Sequence, residues 1–207
     1  MTRSVSAPAR LGRPPGETAG SHRAILDAVH DLLQETSVRD LTMEAVAKRA
    51  GVGKPTLYKW WPSKAALVFN MFHERLAREG NAPEAATAEA AIRARFKHLV
   101  GAFNGLFGKV MAELIAEGQS DPAVLRELYD RHIGPRRAAT IADIERGKAN
   151  GEFAPNTNAE LLVDAIFGPA YYRLLLHLMP LTEEYGDDLI DQVLHRGPIA
   201  SRKSPTG

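Results

Sequence analysis

The chain has 207 residues, 44% of them hydrophobic and 25% charged, and it contains no cysteine. That composition suits one or two globular domains with a real core, and it excludes disulfides, thiolate nucleophiles and cysteine metal sites. Net charge is only +1, but residues 1–64 hold ten Lys or Arg against six Asp or Glu, an imbalance that fits one domain facing a polyanion.

The opening MTRSVSAPARLGRPPG is polar, basic and broken by proline, unlike an apolar signal sequence. Residues 1–20 therefore read as a disordered basic arm. Within it, Arg10 and Arg13 are held extended by glycine and proline. Such arginines can lie in a narrow A·T-rich minor groove, and a solubilising tail is the alternative.

A first helix is expected from about Ser21 to Glu35. Ile25, Ala28, Val29, Leu32 and Leu33 share one face at helical spacing. After a polar connection, Thr42 is an N-cap, Glu44 suits the first turn, and Met43, Val46, Ala47 and Ala50 form an apolar stripe. Gly51 offers a positive-φ stop. Lys54-Pro55-Thr56 starts another helix, which Pro62 ends near Trp61, and Ser63 caps the next from Lys64 to Glu79.

A break at Asn81-Ala82-Pro83 precedes further helices over 85–107 and 109–117. Asp121-Pro122 opens a helix running to Lys148, kinked or broken at Gly134-Pro135. Thr157 and Glu160 read as a capping box before Leu161 to Met179, and a last helix runs from Thr182 to His195. Residues 196–207 read as a disordered tail. No strand-like alternation occurs, so the fold class is all-α, with about nine helices. The most apolar stretch, 161–179, contains Asp164, Arg173, His177 and Gly168-Pro169, so no membrane span and a cytoplasmic location are expected.

The informative segment is LTMEAVAKRAGVGKPTLYKWWPSKAAL, residues 41–67. Two short helices joined by a glycine turn are the anatomy of a helix-turn-helix. Small Ala47 and Ala50 allow close approach, and Leu57 can anchor the second helix inward. Lys54, Thr56, Lys59 and Trp60 remain for base edges and phosphates.

These residues resemble the tetracycline-repressor (TetR) family, most strongly over residues 21–70. The matching elements are Thr42, Ala50-Gly51-Val52, Leu57-Tyr58, Trp60-Trp61 and Ser63-Lys64; the departure is Trp61, where the family usually has phenylalanine. The resemblance implies phosphate contacts from Thr42, Tyr58 and Lys64, and sequence readout by Lys54, Thr56, Lys59 and Trp60. Core packing is the competing role for Tyr58, Trp60 and, above all, Trp61.

The resemblance also implies a DNA-binding domain over 21–66 and an effector-binding, dimerising domain over 67–195. The last two helices would form a four-helix bundle across a two-fold axis, through Leu161, Leu162, Ile166, Leu174, Leu175, Leu178, Ile190, Val193 and Leu194. Partners would be a palindromic double-stranded operator, a second copy of the chain and a small hydrophobic effector. Phe103, Phe107, Met111, His132, Tyr171 and Tyr172 are the candidates for lining its pocket, with ordinary core packing as the alternative.

Catalysis is not expected. AGVGKPT fails the phosphate-loop pattern at Lys48 and Pro55, neither H-E-x-x-H nor G-x-S-x-G occurs, and the histidines lack ligand spacing. No cofactor or metal is expected. Two other readings compete: a sequence-tolerant DNA-binding protein, and a helical dimer without operator binding.

Overall fold

The computed structural model describes residues 17–78 and 85–195. The arm bearing Arg10 and Arg13, the break at 81–83 and the tail from 196 onward lie outside the described residues. Everything described is helical or loop. The helices are α1 (Glu17–Glu35), α2 (Met43–Ala50), α3 (Lys54–Trp60), α4 (Lys64–Arg78), α5 (Ala88–Phe103), α6 (Leu106–Gly118), α7 (Pro122–Leu128), α8 (Gly134–Ala149), α9 (Ala159–Leu176) and α10 (Glu183–Leu194). A π-helical turn, Tyr129–Ile133, joins α7 to α8 without interruption. Counted as one rod, α7, the turn and α8 bring the described helices to the expected nine. No single described helix is long and apolar enough to cross a membrane.

The helix-turn-helix forms for local reasons. The Thr42 hydroxyl accepts from the Ala45 N–H at 3.1 Å, so α2 begins there. Gly51 ends it at φ 67°, a left-handed conformation that side chains with a Cβ rarely adopt. Pro55 occupies the first turn of α3, where a missing N–H costs nothing. Ser63 caps α4 by accepting from the Ala66 N–H at 2.9 Å.

Leu57 is completely buried, in one core cluster with Ile25, Val29 and Leu33 of α1 and Val46 of α2. Trp61 fills the corner between α3 and α4 at 2% exposure, and its indole N–H donates to Asn70 Oδ1 at 3.0 Å. The indole that replaces the usual phenyl ring thus has both its volume and its polar atom accommodated.

Three sequence expectations change. The helix expected over 85–107 ends at Phe103, so Phe107 belongs to α6. The rod through Gly134-Pro135 is not broken. Its backbone widens into the π turn, and the Gly134 N–H reaches Tyr129 O, five residues back. The wider turn takes up the proline that an α-helical interior would exclude. Gly134 also sits tightly, because a Cβ there would lie 3.0 Å from Tyr129 O. At α9 the cap is Asn158, whose side chain accepts from the Leu161 N–H at 3.0 Å, rather than Thr157.

The core is continuous from α1 to α10, with α4 as the shared element: Val68, Phe69, Met71 and Phe72 are buried along it. Leu57→Ala should remove the anchor of α3 and destabilise the chain by about 2–5 kcal/mol in urea unfolding. A loss well under about 1 kcal/mol would mean that α3 is held by something other than Leu57.

Candidate functional site

Two features stand out: the outer face of α2 and α3, and a cavity within the helices beyond α4.

On α3, Leu57 faces inward and Tyr58 and Lys59 face outward. Tyr58 is 56% exposed, and Lys59 has no carboxylate partner among the described residues. Thr56 is half-buried. Thr42 is exposed at the start of α2, its oxygen already accepting from Ala45 while its hydroxyl hydrogen is free to donate outward. Lys54 is exposed but ion-paired with Glu44, Nζ to Oε2 at 2.6 Å. That pair pulls the Glu44 carboxyl below its ordinary range.

Two residues expected at this surface are turned away from it. Lys64 is half-buried, and its ammonium donates to Val38 O (2.6 Å) and Arg39 O (3.3 Å), with Glu117 3.9 Å away. A partly desolvated ammonium takes the acceptors nearest to it, and here those close the turn between α1 and α2. Trp60 is half-buried against the rings of His22 (5.3 Å) and Trp61 (5.8 Å). It extends the aromatic corner instead of the outer row. His22 Nε2 is bonded to Glu74 at 2.6 Å, so this ring cluster ties α1, α3 and α4 together.

The cavity encloses about 1270 Å³. Its wall is mostly apolar, with Leu99, Phe107, Ile115, Ile133, Val163 and Phe167 among its residues. Of the six residues expected to line it, Phe107 and Tyr171 do. Phe103 and Met111 are core residues, 5% and 1% exposed. Tyr172 faces outward at 54% exposure, because α9 turns the neighbouring Tyr171 inward. His132 stands behind the wall, its ring 4.7 Å from Phe107, with the Arg136 guanidinium against its Nδ1 at 2.7 Å.

Burial, followed by the charges of Arg136 and His73, presses the His132 imidazole from 6.5 down to about 3. The neutral ring can therefore accept from Arg136. Burial also lowers the Arg136 guanidinium and raises the Tyr171 phenol, which stays a neutral donor.

Sequence reading missed the cavity arginines. It also missed a polar row on α6. Lys109 Nζ donates to Leu33 O (3.0 Å) and Thr36 O (2.8 Å), and Glu113 accepts from the Val38 N–H at 2.6 Å. With Glu117 near Lys64, these form a stripe at every fourth position that grips the end of α1 and the turn after it. The signal was present in the sequence: charges at 109, 113 and 117 along an otherwise apolar helix.

Residues 25–71 match the model of bacterial regulatory proteins of the tetR family, and residues 82–193 match the tetracyclin repressor-like C-terminal domain. The chain belongs to the TetR family. It is a helix-turn-helix transcriptional regulator. An uncharacterized HTH-type transcriptional regulator of Bacillus subtilis strain 168, YdeS, is 34% identical over 181 residues, covering 87% of this chain and 90% of that one. The crystal structure of the TetR family regulator SCO0332 superposes at a TM-score of 0.71 with 28% identity, over 84% of this regulator and 96% of that chain. FadR from Bacillus subtilis, solved with stearoyl-CoA, shares the fold at a TM-score of 0.68 and 18% identity, over 84% and 98% of the two chains.

The depressed His132 has a measurable consequence. Between about 6.5 and about 3 the unfolded chain binds a proton that the folded one refuses, so this residue makes stability fall as pH drops through that window. His132→Phe should flatten the decline in melting temperature between about pH 7 and about pH 5. An unchanged decline would assign the acid sensitivity elsewhere.

Proposed function

We propose that this regulator is a ligand-responsive repressor that binds a palindromic operator as a homodimer and releases it when a small apolar molecule occupies the cavity. The observation that carries the reading is the division of α3 into a buried anchor, Leu57, and an outward row, Tyr58 and Lys59, that no partner among the described residues consumes. A helix seated this way offers its outer face to the major groove of a duplex.

The roles follow from chemistry. Thr42 and Tyr58 donate hydroxyl hydrogens to phosphate, joined by the free N–H groups at the start of α2. Lys59 and Thr56 read base edges. Lys54 takes part once its exposed pair with Glu44 gives way, and exposed pairs hold by little, about 0–1 kcal/mol. Lys64 positions the turn between α1 and α2 and is left out of the DNA-contacting set.

Dimerisation is supported by α9. Leu161, Ala165, Gly168, Tyr172 and Leu175 recur at heptad-like spacing and are all exposed, and Leu178 and Met179 continue the patch. Such a contiguous apolar stripe on a protomer fits burial against a second copy. Ile166, Leu174 and Ile190 are buried within the protomer, while Leu162, Val193 and Leu194 are half-buried against its core.

The effector acts through α6. Phe107 lines the cavity and meets Phe72 of α4 edge-on at 5.0 Å. A ligand displacing Phe107 moves both α4 and the polar row that grips α1, and so changes the separation of the two recognition helices. That the FadR neighbour holds stearoyl-CoA supports the capacity of such a bundle for a long apolar ligand.

Binding to the DNA flanking the regulator's own gene, with random duplex as competitor, tests the reading. Tyr58→Phe should weaken all duplexes alike while leaving the salt dependence, whose slope is about 0.9 per phosphate neutralised by a cation, unchanged. Lys59→Ala and Thr56→Val should instead relax sequence preference, by about 1–3 kcal/mol per base contact. Equal affinity of the intact protein for every duplex would favour a sequence-tolerant DNA-binding protein. Separately, the double substitution Tyr172→Asp with Leu175→Asp should give monomers in sedimentation and abolish tight operator binding. A dimer that survives it would move the interface away from α9.

A further inference from the structure

The cavity wall is apolar but not uncharged. Arg95, Arg126, Arg136 and Arg137 all line it, and they differ in what holds them. Arg95 is paired with Asp143 at 2.8 Å, and Arg137 with Glu160 and Asp164. Lys97, also on the wall, is paired with Glu183 at 2.7 Å. Arg126 and Arg136 have no carboxylate within 4.0 Å among the described residues.

Arg136 is the more constrained of these two. It stands one residue after Pro135 in the first turn of α8, just beyond the π turn, and its backbone carbonyl accepts from Thr140 Oγ1 at 3.0 Å. Its Nη1 is committed to His132, to the ring at 2.7 Å and the carbonyl oxygen at 3.3 Å. Its Nε and Nη2 have no hydrogen-bond partner among the described residues. Those two nitrogens form the side-on edge of the guanidinium fork, which matches a carboxylate with two parallel hydrogen bonds. Tyr171 on α9 lines the same cavity as Arg136, and burial keeps its phenol protonated. A cation that must stay charged in surroundings hostile to charge calls for an anion.

Taking the cavity as the effector site, as proposed above, we infer that its ligand is an amphipathic anion, an extended apolar body ending in a carboxylate or similar oxyanion, with the acidic end seated on the Nε–Nη2 edge of Arg136 and the hydroxyl of Tyr171. The apolar body lies along Leu99, Phe107, Ile133 and Phe167. His132 positions the fork from behind and, being neutral, adds no repulsion toward other cations. A volume of about 1270 Å³ exceeds what a small acid fills and suits a long or multi-ring apolar body.

The test varies head charge at constant apolar length. Dodecanoate, dodecan-1-ol and dodecyltrimethylammonium are titrated into the intact dimer below their micelle concentrations by calorimetry, with acetate as the charge-only control. Dodecanoate should bind about tenfold or more tightly than the alcohol, as expected for a hydrogen-bonded charge pair, and the cation and acetate should bind most weakly. Arg136→Met should erase the preference for the acid while leaving affinity for the alcohol unchanged, and Arg136→Lys should retain only part of it. Should Arg136→Met not fold, the acid-to-alcohol ratio in the unaltered protein decides alone. Equal binding of acid and alcohol, acetate binding as well as dodecanoate, or no binding by any probe overturns the inference. Operator release is followed in parallel. Release by probes regardless of head charge keeps the effector reading and sinks this one. A head-charge preference without release does the reverse.

Discussion

The edge-to-face contact between Phe107 and Phe72 is the constraint on which the rest of the molecule turns. Phe107 stands in the first turn of α6 and touches three things at once: the cavity, the His132 ring behind it, and Phe72 on α4. Phe103 stacks on it at 6.1 Å and meets Tyr171 of α9 at 5.1 Å. Aromatic rings packed edge to face have few alternative arrangements, so a ring pushed from one side is transmitted to its neighbour and not absorbed. On the helix-turn-helix side, α4 carries this contact, running from the corner filled by Trp61 to Phe72.

The polar row on α6 works in parallel and has a different character. Lys109 satisfies carbonyls at the C-terminal end of α1, where a cation is favoured by the helix dipole. Glu113 satisfies the orphan Val38 N–H, and Glu117 sits near Lys64, which closes the same turn from the α4 side. Together these contacts fix the angle of the whole α1–α2 unit relative to α6. The aromatic contact resists compression, while the row sets direction. Both belong to one helix, so displacement of α6 is felt at α1 and at α4 simultaneously.

Much of this was legible in the residues. The α2–α3 segment follows from Thr42, Gly51, Pro55 and Pro62, each acting within a few positions of itself, and Leu57 and Trp61 are apolar residues with no alternative but the interior. The cavity was less legible, because lining and core positions share one composition. Tyr171 and Tyr172 are adjacent and identical in type, and only the rotation of α9 against α8 sends one inward and the other out. The orientation of Lys64 was illegible for a related reason. A lysine at a helix start near a DNA-facing surface can point either way, and the open carbonyls of Val38 and Arg39, distant in sequence, decide it. Arg136 was hidden by the proline before it, which reads as a break until the π turn is seen to carry the chain through.

The energetics of switching favour this arrangement over a more tightly fused one. Coupling between two sites in such proteins amounts to about 1–3 kcal/mol. A single net hydrogen bond contributes about 1 kcal/mol, and an aromatic pair adds about 0.5–1.5 kcal/mol beyond its area. The loss or realignment of one polar contact on α6 together with the Phe107–Phe72 contact therefore lies within the range a ligand must supply. On the proposed reading, a modest difference in ligand affinity would select between two positions of the recognition helix through these α6 contacts.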